Sequence, residues 1–164
     1  MNLEDLGLAI GGIPFKYPLI NGAEPCKDSH TALDLLRSED AGLNFGSITI
    51  QERMGNEGDV YFYDGQRSLN SLGLPNKGKD AYLESLPPIV ARAKELGKPF
   101  ILSIAGFSPD EFAELAQVGV DIGADIIEAN LGCPNIWDGG TQKRIFSFHP
   151  RAIVATLLLI KEII

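Results

Sequence analysis

The stretch "KPFILSIAGFSPDEFAELAQVGVDIGADIIEANLGCPN", residues 98–135, carries the pattern that decides the fold. It opens with an apolar run of strand type, 98–106, that stops at Ala105 and Gly106. A helix is predicted over "SPDEFAELAQVGVDIG", because Ser108 is an N-cap acceptor, Pro109 suits the first helical position and Glu111 stands three residues after the cap. "ADIIEAN" then returns as a second apolar strand and ends in a Gly-Cys-Pro turn between Asn130 and Asn135. Strand, helix and strand in this order predict a right-handed βαβ unit with parallel strands.

The same alternation extends outward. Residues 6–21, "LGLAIGGIPFKYPLIN", break at Gly and Pro and predict a small β-hairpin leading into a strand at "YPLIN". "KDSHTALDLLRSED" predicts a helix capped by Asp28 or Ser29, with Ala32, Leu33, Leu35 and Leu36 at helical spacing. "GLNFGSITI" is a further strand. Residues 52–76 are rich in Gly and Asn, contain one strand-like piece at Val60 to Tyr63, and are long for a connection, a length that is usually functional. "DAYLESLPPIVARAKELG" is helical with Leu83, Leu86, Ile89, Val90 and Ala93 on one face, its Pro pair requiring a helix start or a kink. A last helix begins near Pro150. Four strands alternating with four helices predict a parallel α/β sheet, doubly wound or closing into a barrel.

A complete (β/α)8 TIM-type barrel takes ~250 residues, so residues 1–164 are expected to be a single domain holding about the first four βα units. The chain ends within an apolar helix without a C-capping Gly, which reads as an interruption.

Composition narrows the role. The chain is 45% hydrophobic and 22% charged, as in a soluble globular domain. Its net charge of −8 is scattered rather than blocked, which argues against nucleic acid as a partner. "MNLEDLGLAI" lacks the basic start of a signal peptide, and no apolar run approaches the ~18 residues of a membrane span. Cys26 and Cys133 therefore read as free thiols in a reducing cytoplasm. No CxxC or His/Cys ligand spacing is present, so no metal site is expected.

In parallel α/β folds ligands gather at the C-terminal ends of the strands. The small residues there, Gly22, Ala23, Gly46 and Ser47, would let a flat ring lie against the backbone, although they serve ordinary turns equally well. "SLNSLGLPN", residues 68–76, has no helical or strand period; its asparagines suit a cyclic amide or a carboxylate, or simply Asx turns. Cys133, on a strand-end loop between two amides, is placed as a candidate base or nucleophile, or as a small residue filling a turn. No His lies near it in sequence, since His149 is well downstream and His30 far upstream.

"NSLGLPN", "KPFILSIAGFSPDEFAELA" and "EANLGCPN", in this order, resemble the N-terminal half of the class 1 dihydroorotate dehydrogenases, FMN-containing (β/α)8 barrels of pyrimidine biosynthesis. The resemblance implies oxidation of (S)-dihydroorotate to orotate, with a base removing the C5 proton while hydride leaves C6 for the flavin. It assigns Cys133 as that base. It places Gly22, Ala23, Gly46, Ser47 and Asn130 at FMN, and Asn70, Ser71, Leu72, Gly73 and Leu74 with Asn130 and Asn135 at the pyrimidine.

Departures from the family accompany it. Gly46 stands where the family has Lys, and Gly132 where class 1 members usually have Ser. The loop "IWDGGTQKRIFSFHP" differs from the usual lid, and the barrel's second half lies outside the chain. Two other expectations therefore stand beside the first. One is a different pyrimidine-ring flavin oxidoreductase, of the dihydropyrimidine dehydrogenase kind. The other is an inactive half-barrel that binds or assembles, covering its exposed edges as a homo-oligomer or with a separate C-terminal half.

Overall fold

The computed structural model describes residues 6–138, 141–143 and 145–164. The βαβ unit read from 98–135 is present as β6 (Phe100–Ile104), α4 (Pro109–Ile122) and β7 (Ile126–Ala129) once the earlier elements are counted. Its strands pair in parallel from Ile101 opposite Ile126 to Ile104 opposite Ala129. At the start of α4, Ser108 Oγ accepts from the Glu111 N–H (3.2 Å) and the Glu111 carboxylate accepts from the Phe107 N–H (2.8 Å). The first bond satisfies one of the helix's orphan donors, and the second ties the residue before the cap to the first turn. Gly123, at φ 77°, ends the helix in the left-handed conformation.

β3 (Leu43–Ile48) pairs in parallel with the other side of β6, so the sheet runs β3, β6, β7. Alternation gives it two faces. Leu43, Phe45, Leu102 and Ile104 join the main core under α1 (Ser29–Arg37), α3 (Pro87–Glu95) and α4, through Leu36, Ile89, Val90 and Leu115. Ile101 and Ile126, at the N-terminal ends of their strands on the opposite face, pack with Phe15, Tyr17 and Ala41. The hairpin of β1 (Leu8–Ile10) and β2 (Ile13–Phe15) therefore closes the bottom of that inner face and leaves the strands' C-terminal ends to form a site.

The first of the four expected strands, at "YPLIN", does not form. Pro18 has no N–H to give a ladder, and the segment is fastened beside β3 by other means. The Leu19 carbonyl accepts from Ala41 N–H (2.8 Å). The Asn21 carboxamide then substitutes for a strand backbone, accepting from Asn44 N–H (3.0 Å) and donating to Asn44 O (2.6 Å).

The helices follow the sequence closely. Asp28, one of the two expected caps, accepts from Thr31 N–H at the start of α1 (2.9 Å). The Pro pair splits the second predicted helix into α2 (Lys79–Ser85) and α3, which begins at Pro87. α5 (Pro150–Ile163) packs along α4. No helix among the described residues is long and apolar enough to cross a membrane.

The long connection has more order than its composition predicts. Its strand-like piece, β4 (Tyr61–Tyr63), pairs antiparallel with β5 (Ser68–Asn70), which lies in a stretch read as lacking strand period. A second short hairpin, β8 (Trp137–Asp138) with β9 (Thr141–Gln142), follows Cys133. The base of the long connection is closed by Arg53 and Asn76, whose backbones exchange hydrogen bonds of 2.8 and 2.9 Å. The buried Asn76 side chain accepts from Thr49 N–H and Gly78 N–H and donates to Leu74 O. For Asn76, of the two readings open in sequence, the Asx turn is the one the fold uses.

Removing that carboxamide leaves several buried backbone groups without partners. Asn76→Ala is expected to lower stability by about 2–3 kcal/mol, read as a reduced denaturation midpoint at unchanged m-value.

Candidate functional site

The C-terminal ends of the three sheet strands are joined by side chains. Ser47, buried on β3, has its Oγ 2.8 Å from Ser103 Oγ on β6 and accepts from Asn130 Nδ2 just beyond β7 (2.9 Å). Asn130 is held by its own backbone as well, its N–H donating to Ile104 O (2.8 Å) and its Oδ1 accepting from Gly132 N–H (3.3 Å). Ser103 was not singled out in the sequence. Its signal was a lone hydroxyl within "FILSIA", where every neighbour is apolar.

Gly46 sits against this link. Its φ is +128°, and a Cβ there would collide with the Ser103 carbonyl oxygen on β6. The β3–β6 register slips between Phe45 and Ile48, and Gly46 N–H turns away to donate to Cys26 O (2.9 Å). Only glycine fits such a place, so a lysine cannot occupy it in this backbone. Cys26 N–H in turn donates to Ala23 O (3.0 Å), and this turn is what brings Gly22 and Ala23 to the end of β3. Gly22 is exposed, and a Cβ there would meet no atom within 4 Å.

Cys133 is half-buried and lines a cavity of about 340 Å³ with Asn130, Phe107, Lys143 and His149. His149, distant in sequence, is brought there because it is the N-cap of α5, whose positive end thus opens on the cavity. Lys143 Nζ lies 4.3 Å from the Phe107 ring centroid, and the Arg53 guanidinium lies 5.5 Å from it. No Asp or Glu is among the described lining residues. Phe107 could have been found from its place directly after the strand end at Gly106; Lys143 and His149 had no local signal.

The remaining amides form a separate clasp. Asn135 Nδ2 donates to Asn70 O (2.9 Å), while Asn56 Nδ2 donates to Asn135 O (2.9 Å) and Ser71 O (2.8 Å). Asn56 N–H also donates to Leu72 O (3.0 Å). Asn56, absent from the sequence-derived candidates, is thus what binds the 70–74 loop to the Cys133 loop. Gly73 (φ 78°) has Asn56 Oδ1 where its Cβ would stand, 2.5 Å away. Leu74 is buried, and its neighbour's carbonyl, Gly73 O, accepts from Arg53 Nε (3.0 Å). The structure thus joins Ser47 to Asn130, which shares the cavity with Cys133, and Asn70 to Asn135, with Ser71 tied to Asn135 through Asn56. Gly22 and Ala23 reach this region only through the Cys26 turn.

The other thiol behaves differently. Cys26 is fully buried, and burial, with the Asp28 charge second, pushes its pKa up to about 12.

The sequence pattern of the family described as dihydroorotate dehydrogenase matches residues 6–150. The chain is 30% identical over 166 residues to the catalytic subunit of dihydroorotate dehydrogenase B (NAD(+)) of Caldicellulosiruptor bescii, covering 99% of this chain and 51% of that protein. It is 36% identical over 124 residues to dihydroorotate dehydrogenase (fumarate) of Kluyveromyces lactis, covering 74% of this chain and 39% of that one. The crystal structure of DHODH from Eimeria tenella in complex with ferulenol matches with a TM-score of 0.78 over 96% of this chain and 44% of that one, at 22% identity. That likeness is one of fold, and makes the parallel sheet with its helices part of a (β/α)8 barrel. The chain spans about half the length of the curated relatives it matches.

Three outcomes follow from this geometry. In the folded protein near pH 8 a disulfide exchange reagent should label Cys133 and spare Cys26, which reacts only after unfolding. Cys26 stays protonated when folded but ionises near its ordinary value when unfolded, so stability is kept below pH ~9 and declines as pH rises towards 12; Cys26→Ala should flatten that alkaline decline. Gly46→Ala, and Gly46→Lys equally, should cost about 1–3 kcal/mol in a denaturant titration through the collision with Ser103.

Proposed function

Because the chain belongs to the dihydroorotate dehydrogenase family, as the match over residues 6–150 establishes, we propose that it is the N-terminal half of an FMN-dependent, class 1 type enzyme oxidising (S)-dihydroorotate to orotate. The observation that carries this reading is the shared cavity of Cys133 and Asn130 at the C-terminal end of β7.

The residues present fit a flavin. Gly22 is glycine although packing makes no demand on it, and Ser47 and Asn130 bring a hydroxyl and a carboxamide to the same strand ends. Gly22, Ala23, Gly46, Ser47 and Asn130 would hold it. When bound, FMN supplies the acceptor for the hydride leaving C6.

Cys133 Sγ takes the C5 proton from the opposite face of the ring. Asn130, kept in one orientation by Ser47 and Gly132, presents its carboxamide to the ring edge. Asn70 to Leu74 and Asn135 hold the other edge, and the Asn56 clasp keeps the two loops at a fixed separation. Proximity of this kind is worth as much as the proton transfer itself, since a misplaced ring loses both steps.

β7 ends the described sheet and α5 exposes Val154, Leu157 and Leu158, surfaces that a C-terminal half or a second copy of the chain would cover, with residues 1–164 as one domain of the barrel. A cytoplasmic setting keeps both thiols reduced and places the reaction in pyrimidine biosynthesis. One observation favours a second reading: the backbone at Gly46 excludes a cation there, which would suit a pyrimidine without a carboxylate.

The purified protein, supplied with any separate C-terminal half, should carry a flavin spectrum and form orotate from dihydroorotate. Cys133→Ala should keep the flavin and lose turnover roughly 100-fold or more. A colourless protein, or full turnover in that variant, would sink the reading.

A further inference from the structure

We propose that His149 is the proton acceptor for Cys133: its imidazole takes the proton that the thiol removes from the bound ring and passes it to solvent. The inference rests on the reading of Cys133 as the base. It goes beyond that reading by naming the group that restores the thiolate before the next ring is bound.

The backbone brings the two residues together. Ser147 N–H donates to Leu131 O (2.8 Å), so Cys133 and His149 each stand two residues beyond the bond that joins their segments. A 3-10 turn at Phe146–Phe148 precedes His149, and the Phe146 ring anchors it against Phe112 of α4, with 5.2 Å between centroids. His149 N–H donates to Phe146 O (3.0 Å), and its carbonyl accepts from Ile153 N–H (3.0 Å), while Pro150 disfavours the helical conformation for it. Held on both sides, the half-buried His149 forms part of the same cavity wall as Cys133.

Capping does not account for this histidine. Asp28 and Ser108 cap α1 and α4 through their side chains, whereas His149 stands at the N-cap of α5 and its imidazole makes no capping bond. Proton chemistry does account for it. A thiolate that abstracts the C5 proton becomes a thiol, and that proton must then leave: the S–H bond breaks, an N–H bond forms on the imidazole, and the electron pair stays on sulfur. Of the other described side chains lining the cavity, only the imidazole is of a type largely neutral near pH 7 and still basic enough to accept it. Lys143, over the Phe107 ring, carries an ammonium, which has donors and no acceptor, and the Asn130 carboxamide is not a base. Beyond the wall, the Glu111 carboxylate accepts from Phe107 N–H, and Arg151 in the first turn of α5 is exposed. A cavity of about 340 Å³ has room for water beside a small ring, and Cys133, Asn130 and His149 give such a water its polar partners, so the transfer needs no direct contact between sulfur and imidazole.

The test pairs thiol chemistry with turnover in the purified protein, supplied with any separate C-terminal half. Wild type is compared with His149→Gln and with His149→Asn, which keeps a good N-cap residue. Iodoacetamide at pH 7 should modify Cys133 roughly threefold or more slowly in both variants, with equal rates in urea. Oxidation of dihydroorotate should fall roughly tenfold in kcat with KM within about twofold, and free imidazole in the buffer should restore much of the rate. Equal iodoacetamide rates in the folded wild type and variants overturn the proposal, as does a loss of turnover that imidazole leaves unrestored, which would mark a structural role. A wild type that forms no orotate while its iodoacetamide rate depends on His149 supports the thiol–imidazole exchange and removes only the oxidation reading beneath it. Full turnover in His149→Asn removes only this inference, and full turnover in Cys133→Ala removes both.

Discussion

The Ser47 hydroxyl, shared between Ser103 on β6 and the Asn130 carboxamide after β7, is the contact on which the rest of the site depends. Backbone ladders align the three strands along their length, but they say nothing about where each strand stops. The hydroxyl link sets the ends against one another. It works because Gly46 lets β3 approach the Ser103 carbonyl more closely than any side chain would allow, turning Ser47 towards its partners. Asn130, so fixed, determines where the Gly-Cys-Pro turn begins and hence where the Cys133 thiol enters the cavity.

A second layer of order comes from carboxamides that stand in for backbone. Asn21 pairs with Asn44 as a strand would, Asn76 closes the base of the long connection, and Asn56 joins the two loops that flank Cys133. Each presents donors and an acceptor on a short, stiff side chain. Loops held this way keep a defined separation without a core of their own, which the exposed β4–β5 hairpin conspicuously lacks. The electrostatics are just as local. A chain of net charge −8 places Lys143 and Arg53 against the Phe107 ring and opens the N-terminal end of α5 on the cavity.

Much of this was legible from residue order. Ser108 and Pro109 announced α4, the Pro pair announced the break before α3, and the apolar runs at 100–104 and 126–129 announced parallel strands. "YPLIN" misled because its apolar character is that of a strand, while Pro18 removes a donor and a side-chain amide does the pairing instead. β5 was missed because an exposed hairpin has no buried face to impose alternation.

What the sequence determined by itself is the set of local events: helix caps, strand runs, the Gly-Cys-Pro turn after β7, and the motif blocks that signal the family. These depend on near neighbours, and near neighbours are what a sequence records. Only the tertiary structure decided that Ser103 completes the link between strand ends, that Asn56 binds the two loops, and that Lys143 and His149 share a cavity with Cys133. Those contacts join residues far apart in the chain, and they exist because the βαβ topology and the slip at Gly46 bring distant strand ends and loops to one place.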